Sequence, residues 1–201
     1  MSNFKALTAS KLKEVESHPF YLKLLSGEIT DERYALYLWD QSYRYGAIED
    51  WMEDTPVFDG IEAIKRYGRV RDDFKELWKG KLGRKYMPQP SWSATDLAKR
   101  LKEIKEDDIE DTMQGLAHIY AMHGDLLRLS RKVDLKKLPG SNKMFQFEGK
   151  VDELLAKLEA KITDKMADEI LKAYDLKIRM FDYLMKIDIS KIIHDNRADN
   201  F

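Results

Sequence analysis

One helical period runs through almost the whole sequence, and this feature restricts the fold more than any other. Along the segment after Thr30, side chains of similar character recur at steps of three and four: Tyr34, Tyr37, Leu38, Gln41, Tyr45, Ile48 and Met52. This spacing places them on one face of a long amphipathic helix. No segment alternates apolar and polar residues as a half-buried strand does. We therefore expect an all-α fold, a multi-helical bundle in a single domain.

Capping and turn residues divide this pattern into separate helices. Thr30 is a suitable N-cap for the long helix, Gly27 a suitable C-cap for a short helix before it, and Pro56 lies beyond its end. Loops are expected where proline and glycine cluster, over 81–92 and 139–142. Further helices are predicted over 61–79, over 96–104, from about Asp107 to Leu127, over 151–162, and from Thr163 or Asp164 onward.

Two predicted helices carry signals of close packing. Gly115 and Gly124 lie inside a helical pattern, where glycine marks a kink or a close approach by another group. In the last helix, an inward face is predicted for Met166, Ile170, Tyr174, Phe181 and Leu184. We expect the domain to span residues 1–194 and the tail, 195–201, to be frayed.

Composition excludes several classes of protein. The 201 residues contain 35 Lys and Arg against 36 Asp and Glu, and this balance argues against a nucleic-acid-binding protein. The absence of cysteine excludes disulfides, thiolate metal sites and thiol catalysis. The N-terminus has no apolar targeting segment, and no apolar run approaches the roughly 18 residues of a membrane span. We expect a soluble, cytoplasmic protein with no membrane partner.

The titratable residues do not form a recognisable metal motif. The four histidines are His18, His118, His123 and His194, and neither H-x-x-x-H nor E-x-x-H occurs. We therefore expect no metal site built by the protein alone. His118 is interpreted as a helix residue packed beside aromatic rings. Acidic residues near 107–111 are interpreted as carboxylates favoured at a helix start, and the tyrosines after Thr30 as core and rim residues.

Two lysines one helical turn apart leave two interpretations open. Lys157 and Lys161 could hold a pair of carboxylates, or they could belong to a solvated face.

Several motifs, in their order along the chain, resemble heme oxygenases and, at the N-terminal end, TenA-type thiaminases. His18-Pro19-Phe20, Gly27, Tyr37-Leu38 and the run to Glu49 resemble the opening of both families. The central segment resembles the distal helix of heme oxygenases, and the next motif resembles their F-Y-x-F signature: Ala117-His118-x-Tyr120, Gly124-Asp125-Leu126 and Phe145-Gln146-Phe147. The likeness covers about four-fifths of the chain, and it implies a heme-oxygenase-like multi-helical bundle.

The resemblance also implies a function and its residues. Heme would serve as substrate and cofactor, cleaved to biliverdin with release of carbon monoxide and iron, with electrons from an electron donor. Asp125 would order distal water and Gly124 would allow close approach, as catalytic positions. The cofactor-binding positions implied are His18, which is also the nearest imidazole for the iron, Lys157 and Lys161 for the propionates, Tyr120 and Tyr45.

Two departures from the family pattern lead to a different expectation. Arg128 and Leu129 stand where the family's G-D-x-S-G-G motif has glycines that let the backbone lie on heme. The position of the proximal heme-ligand histidine is Leu12 without a gap, or Glu16 with a four-residue gap. We therefore predict that heme binding is weak or displaced from the family pose, and that turnover is slow or absent.

Two other functions on the same fold stay open. One is a non-catalytic protein that binds a tetrapyrrole or another small molecule. The other is an enzyme of the TenA or quinone-biosynthesis type, with a pocket lined by Tyr37, Tyr45, Tyr120 and Asp40. The thiaminase cysteine would fall near Leu116, so a cysteine-dependent thiaminase is not expected.

Overall fold

The computed structural model describes residues 3–53, 56–85, 87–103 and 109–192, which form one helical domain without a strand. The Asp107 and Asp108 positions, His194 and the predicted tail lie outside these residues. Nine α-helices are present in the described chain: α1 (Phe4–Ser17), α2 (Pro19–Ser26), α3 (Asp31–Trp51), α4 (Tyr67–Lys75), α5 (Trp92–Glu103), α6 (Ile109–Ile119), α7 (Asp125–Ser130), α8 (Val151–Ala160) and α9 (Ala167–Lys186). Short 3-10 and π turns join several of them.

The bundle is organised around two long helices, α3 and α9. Helix α3 packs against α4 and α5, whereas α1 packs along α9. Helix α6 contacts both α3 and α9. One core of buried side chains runs through all these contacts, and it includes the aromatic group Phe20, Tyr37 and Phe181. No described helix is long and apolar enough to cross a lipid bilayer.

The predicted caps of the first helices are confirmed. The Thr30 hydroxyl accepts a hydrogen bond from the Arg33 N–H at 3.3 Å, which satisfies one of the free donors at the start of α3. Gly27 ends α2 in the left-handed conformation, with φ of 76°. The predicted break at 139–142 is also present, with positive φ at Gly140 and Asn142.

Three predicted helix boundaries are wrong. Helix α5 begins at Trp92 rather than at residue 96. The last helix is preceded by a 3-10 turn over Asp164–Met166, and the Thr163 side chain makes no capping bond. The segment 61–79 is not one helix, because a 3-10 turn (Glu62–Ile64) is separated from α4 at Lys65 and Arg66.

The interruption before α4 has a tertiary cause. The Glu49 carboxylate, on α3, accepts hydrogen bonds from the backbone N–H groups of Arg66 at 2.5 Å and Tyr67 at 3.2 Å. The Arg66 guanidinium is buried and donates to backbone carbonyls, among them that of Gln146 at 2.8 Å. A new helix therefore starts where a carboxylate from another helix supplies the cap.

Close packing explains the mid-helix Gly115. A Cβ atom built at Gly115 would overlap the indole ring of Trp51, at the end of α3. The glycine thus marks a close approach between α3 and α6. Such an approach is one of the two explanations that the sequence offered, the other being a kink. The predicted helix from about Asp107 continues as α6, a π turn (Tyr120–Gly124) and α7.

The turn after α2 allows a controlled test of packing. Gly27 and Gly60 have nearly the same φ, 76° and 77°, but only Gly27 has a neighbour where a Cβ would lie: Lys137, whose carbonyl oxygen would be 2.9 Å away. Both Gly→Ala variants carry the cost of a positive φ. We expect Gly27→Ala to lower the free energy of unfolding by about 1–2 kcal/mol more than Gly60→Ala, because the backbone at Lys137 must move away from the new Cβ atom. Urea unfolding of both variants measures this, and equal losses would contradict the contact.

Candidate functional site

The candidate site surrounds the junction of α6 and α7, where the π turn Tyr120–Gly124 interrupts the α-helix. A π turn inside a helix is rare and frequently coincides with a functional position. Gly124 is buried, and a Cβ there would lie 3.4 Å from Leu158 and Tyr120 and 3.5 Å from the guanidinium of Arg128. Protein side chains therefore occupy the space beside Gly124.

Arg128, on α7, contacts two tyrosine hydroxyls close to Gly124, the last residue of the π turn. Its guanidinium donates hydrogen bonds to the hydroxyls of Tyr120 at 3.2 Å and Tyr174 at 3.1 Å. The same guanidinium lies 5.0 Å from the centroid of the Tyr120 ring, and Phe4 from α1 packs edge-on against that ring. Leu129 is buried in the core. The two side chains that replace family glycines thus fill space inside the bundle.

Asp125 is engaged in a buried ion pair. Its carboxylate contacts the Lys177 ammonium of α9, and both residues are buried. Burial and the nearby positive charge of Arg44 push the pKa of Lys177 below its ordinary value. The interior of the bundle therefore stabilises the charged lysine poorly, and Asp125 is its direct counter-ion.

The charge of Arg44 acts on this pair, and that of Arg128 acts on the nearby Tyr21 hydroxyl. We define Tyr21, Arg44, Asp125, Arg128 and Lys177 together as the buried polar cluster. Each of the first four has a buried polar atom with no hydrogen-bond partner in the described chain: the Tyr21 hydroxyl, Arg44 Nη1, Asp125 Oδ1 and Arg128 Nε. Native proteins leave few such atoms unsatisfied, and each one calls for a water, an ion or a ligand. These four atoms of the cluster therefore require water molecules, an ion or a ligand as hydrogen-bond partners.

His18 lies at the corner between α1 and α2, where it caps α2. Its Nδ1 accepts a hydrogen bond from the Phe20 N–H at 3.1 Å, and its Nε2 lies 3.6 Å from the Asp182 carboxylate. The ring also packs 5.3 Å from Phe181. These contacts give His18 a structural role, and its assignment as an iron ligand stays a prediction.

The predicted propionate-binding pair lies apart from the polar cluster. Lys157 is exposed, and its ammonium lies 3.4 Å from the Gly60 carbonyl oxygen. Lys161 ends α8 as its C-cap. The described contacts link neither lysine to Asp125 or Arg128, so their role in binding a ligand stays a prediction.

Tyr45 participates in a separate buried group. Its hydroxyl donates to the Met122 carbonyl at 3.4 Å, and its ring packs edge-on against His123. The His123 Nε2 lies 3.2 Å from the same Glu49 carboxylate that caps α4. Burial raises the pKa of the Tyr45 hydroxyl well above its ordinary value, which keeps the phenol neutral.

The described contacts of Tyr45, Tyr120 and Asp40, three of the four residues of the alternative pocket, lead to different neighbours. The Asp40 carboxylate accepts a hydrogen bond from the Ser91 N–H at 3.0 Å, at the start of α5. The Tyr120 hydroxyl instead accepts a hydrogen bond from Arg128 at 3.2 Å. Each of these residues therefore has its own partners, and the TenA-type assignment stays a prediction.

A second polar group joins α5, α6 and α9. Glu169 accepts from Arg100 at 2.6 Å and Lys172 at 3.1 Å, and the His118 Nε2 lies 3.0 Å from its carboxylate. Burial pushes the pKa of Glu169 upward, but the hydrogen bonds from His118 and Lys172 and the charge of Arg100 outweigh it and lower that pKa to about 2. Burial lowers the pKa of His118, so the imidazole is neutral near pH 7.

Several of these residues are not among the site residues predicted from the sequence. Lys177 carried a signal, because it lies three residues after Tyr174 and four before Phe181, on the predicted inward face of the last helix. Arg44 directly precedes Tyr45 and carried no such signal. Glu169 lies 51 residues from His118, so the sequence did not connect them. No three described His, Asp or Glu side chains are grouped so that they could hold a metal ion.

The fold is that of known heme oxygenases. The chain superposes on heme oxygenase-1 from the cyanobacterium Synechocystis in complex with heme, with a TM-score of 0.71 and 15% identity over 96% of this chain and 95% of that one. Heme oxygenase from Leptospira interrogans matches with a TM-score of 0.69 and 19% identity over 89% and 96% of the two chains. Heme oxygenase-2 from Synechocystis in complex with heme and NO matches at 0.69 and 18% over 98% and 92%.

This protein therefore has the heme-oxygenase-like fold, as the sequence motifs predicted. Neither a protein-family model nor a curated protein sequence matches the chain.

Proposed function

We propose that this chain is a non-catalytic small-molecule-binding protein on the heme-oxygenase-like fold, with the heme-cleaving site replaced by the buried polar cluster. The observation that carries this proposal is the Arg128 side chain, which bridges the hydroxyls of Tyr120 and Tyr174 next to Gly124. In heme oxygenases glycines at this part of the helix let the backbone lie on heme. A guanidinium held by two hydrogen bonds beside Gly124 supports the proposal, because such a ligand would have to displace it to reach the helix backbone.

The residues present do not fit heme in the family pose. Leu12, at the ungapped position of the proximal histidine, has an aliphatic side chain that cannot ligate iron. His18 uses Nδ1 to cap α2. Asp125, the candidate for ordering distal water, is bound to Lys177. The proximal position is therefore changed, and the matching distal carboxylate is already engaged within the protein. Both observations favour a binding role over oxygenase chemistry.

A heme oxygenase is the second candidate, and specific observations favour it. Two of the matching structures contain heme, and the superpositions cover at least 89% of this chain. Gly124 and Asp125 also match the family's distal motif. On this alternative the protein binds heme as substrate and cofactor, takes electrons from an electron donor, and forms biliverdin.

Hemin titration distinguishes the two candidates. We expect the wild-type chain to bind hemin weakly and to form no biliverdin with a chemical reductant. The variant Arg128→Gly with Leu129→Gly is expected to bind hemin about tenfold more tightly, because two side chains leave the space beside the helix. The Soret band and the biliverdin absorbance measure the two properties.

A matched variant isolates the contribution of the side chains. Arg128→Ala with Leu129→Ala shortens both side chains but keeps both Cβ atoms, and it avoids the cost of up to ~2 kcal/mol that two helical glycines impose. We expect its hemin affinity to lie between those of the wild type and the glycine variant. If the wild type already binds one heme per chain tightly and forms biliverdin as fast as the glycine variant, the second candidate is correct.

A further inference from the structure

A cleft of about 350 Å³ opens between α5, α6 and α9, on the His118 side of the bundle. Eight residues line it: Asp96, Lys99, Arg100, His118, Lys172, Asp175, Leu176 and Arg179. Four of these carry fixed positive charge and two carry carboxylates. The cleft does not include any residue of the buried polar cluster.

The positive charge in this cleft is only partly neutralised. Lys99 and Arg179 form no ion pair with a carboxylate of the described chain. Asp175 is itself engaged by Lys11 from α1, at 2.9 Å, which reduces its effect on the cleft. Arg100 and Lys172 are paired with Glu169, so Lys99 and Arg179 are the two lining cations without an ion pair in the described chain. Unpaired cations attract anions, and lysine and arginine donate charge-assisted hydrogen bonds to phosphate and carboxylate oxygens.

The wall of the cleft is built around a buried histidine. His118 is fully buried, yet its ring forms part of the lining, and its Nδ1 has no hydrogen-bond partner in the described chain. Arg100 Nε, which belongs to another lining residue, is also unsatisfied. Glu169 positions both side chains through one carboxylate oxygen, Oε1. Arg100 Nε is an N–H donor without an acceptor, and a buried donor beside a cavity indicates a missing acceptor such as an anion oxygen. The neutral His118 ring directs Nε2–H to Glu169, so its Nδ1 is an acceptor and does not itself bind an anion.

We propose that this cleft binds a compact polyanion of the phosphate or polycarboxylate class, held by Lys99, Arg179 and Arg100. The volume is near the lower limit of small-molecule sites, which suits a ligand the size of pyrophosphate or citrate. This inference rests on the proposed binding function and names its ligand class and site.

Calorimetric titration with pyrophosphate, and separately with citrate, tests the proposal at fixed ionic strength. We expect saturable binding of one anion per chain to the wild type, with the tighter of the two probes identifying the ligand class. The variant Lys99→Gln with Arg179→Gln is expected to weaken binding at least about tenfold, because two charge-assisted contacts are lost. Both residues are exposed, so the variant should fold, and circular dichroism confirms this.

A charge-matched control separates a site from general attraction. Lys13→Gln with Lys136→Gln removes the same two charges from exposed positions outside the cleft. We expect pyrophosphate or citrate affinity within about twofold of the wild type, since distant surface charges are screened. Absence of binding by both probes, or equal weakening in the two double variants, overturns the site. Biliverdin formation in the hemin experiment overturns the proposed function instead, so the two failures are distinguishable.

Discussion

Replacing Asp125 by asparagine is expected to lower the free energy of unfolding by about 3 kcal/mol, the largest effect predicted for this protein. The substitution keeps the shape of the side chain but removes the counter-ion of buried Lys177. A buried charge that loses its partner costs several kcal/mol, because the protein interior solvates it poorly. Urea unfolding at pH 7 measures the loss, and Asp152→Asn, in an exposed pair with Arg131, should change stability by less than about 1 kcal/mol.

A double variant shows whether the effect belongs to the ion pair. Lys177→Met alone leaves the Asp125 carboxylate buried without its partner, so we expect a loss similar to that of Asp125→Asn. In Asp125→Asn with Lys177→Met no unpaired charge remains, so the combined loss should be at least about 1 kcal/mol smaller than the sum of the single losses. Strict additivity would show that the two side chains act independently. Asp125 and Lys177 would then no longer count as an interacting pair within the buried polar cluster.

Glu169→Gln is expected to destabilise the chain by about 2 kcal/mol at pH 7, with the difference from wild type shrinking in acid. The pKa of Glu169 falls from an ordinary 4.5 to about 2 in the folded chain. Such a shift corresponds to at most about 3 kcal/mol, and partial exposure of Arg100 and Lys172 screens part of it. Because the folded pKa is lowered, the carboxylate stabilises the fold fully above about pH 4.5 and loses that contribution as the pH falls to about 2.

The measurement is the difference in unfolding free energy between wild type and variant at several pH values from 7 to 2. Glu153→Gln serves as the control, because Glu153 forms an exposed pair with Lys150 and should shift stability by less than about 1 kcal/mol throughout. A difference for Glu169→Gln that stays constant from pH 7 to pH 2 would show that packing, rather than charge, makes the contribution. His118, Arg100 and Lys172 would then be held by other contacts.

The local features of the fold were accessible from the sequence because they depend on neighbours along the chain. A helical period identifies which side chains share a face, and this was sufficient for α3 and for the inward face of α9. The caps at Thr30 and Gly27 could be predicted because each acts on the adjacent backbone. The ordered motifs from His18 to Phe147 also predicted the heme-oxygenase-like fold, which the structural matches confirm.

The candidate site could be predicted only in part, because its side chains contact residues that are distant along the chain. Gly124 and Asp125 were selected by motif, and Arg128 was identified as an obstacle because it replaces a glycine. The direction of the Arg128 side chain, toward Tyr120 and Tyr174, depends on how α9 lies against α7. The predicted ligand-binding roles of His18, Lys157 and Lys161 stay predictions. His18 caps the start of α2, the Lys157 ammonium lies near the Gly60 carbonyl oxygen, and Lys161 is the C-cap of α8.

The sequence by itself determined that this chain forms helices, where α2 ends and α3 begins, and which of the helix faces are apolar. Tertiary structure alone decided which charges are buried together. Asp125 pairs with Lys177, and His118 with Glu169, across separations of 52 and 51 residues. Periodicity shows that a polar residue lies on an inward face, but its partner is chosen by the distance and angle between two packed helices. Those quantities depend on the whole core, because each ion pair forms only where the surrounding side chains allow the two helices to meet.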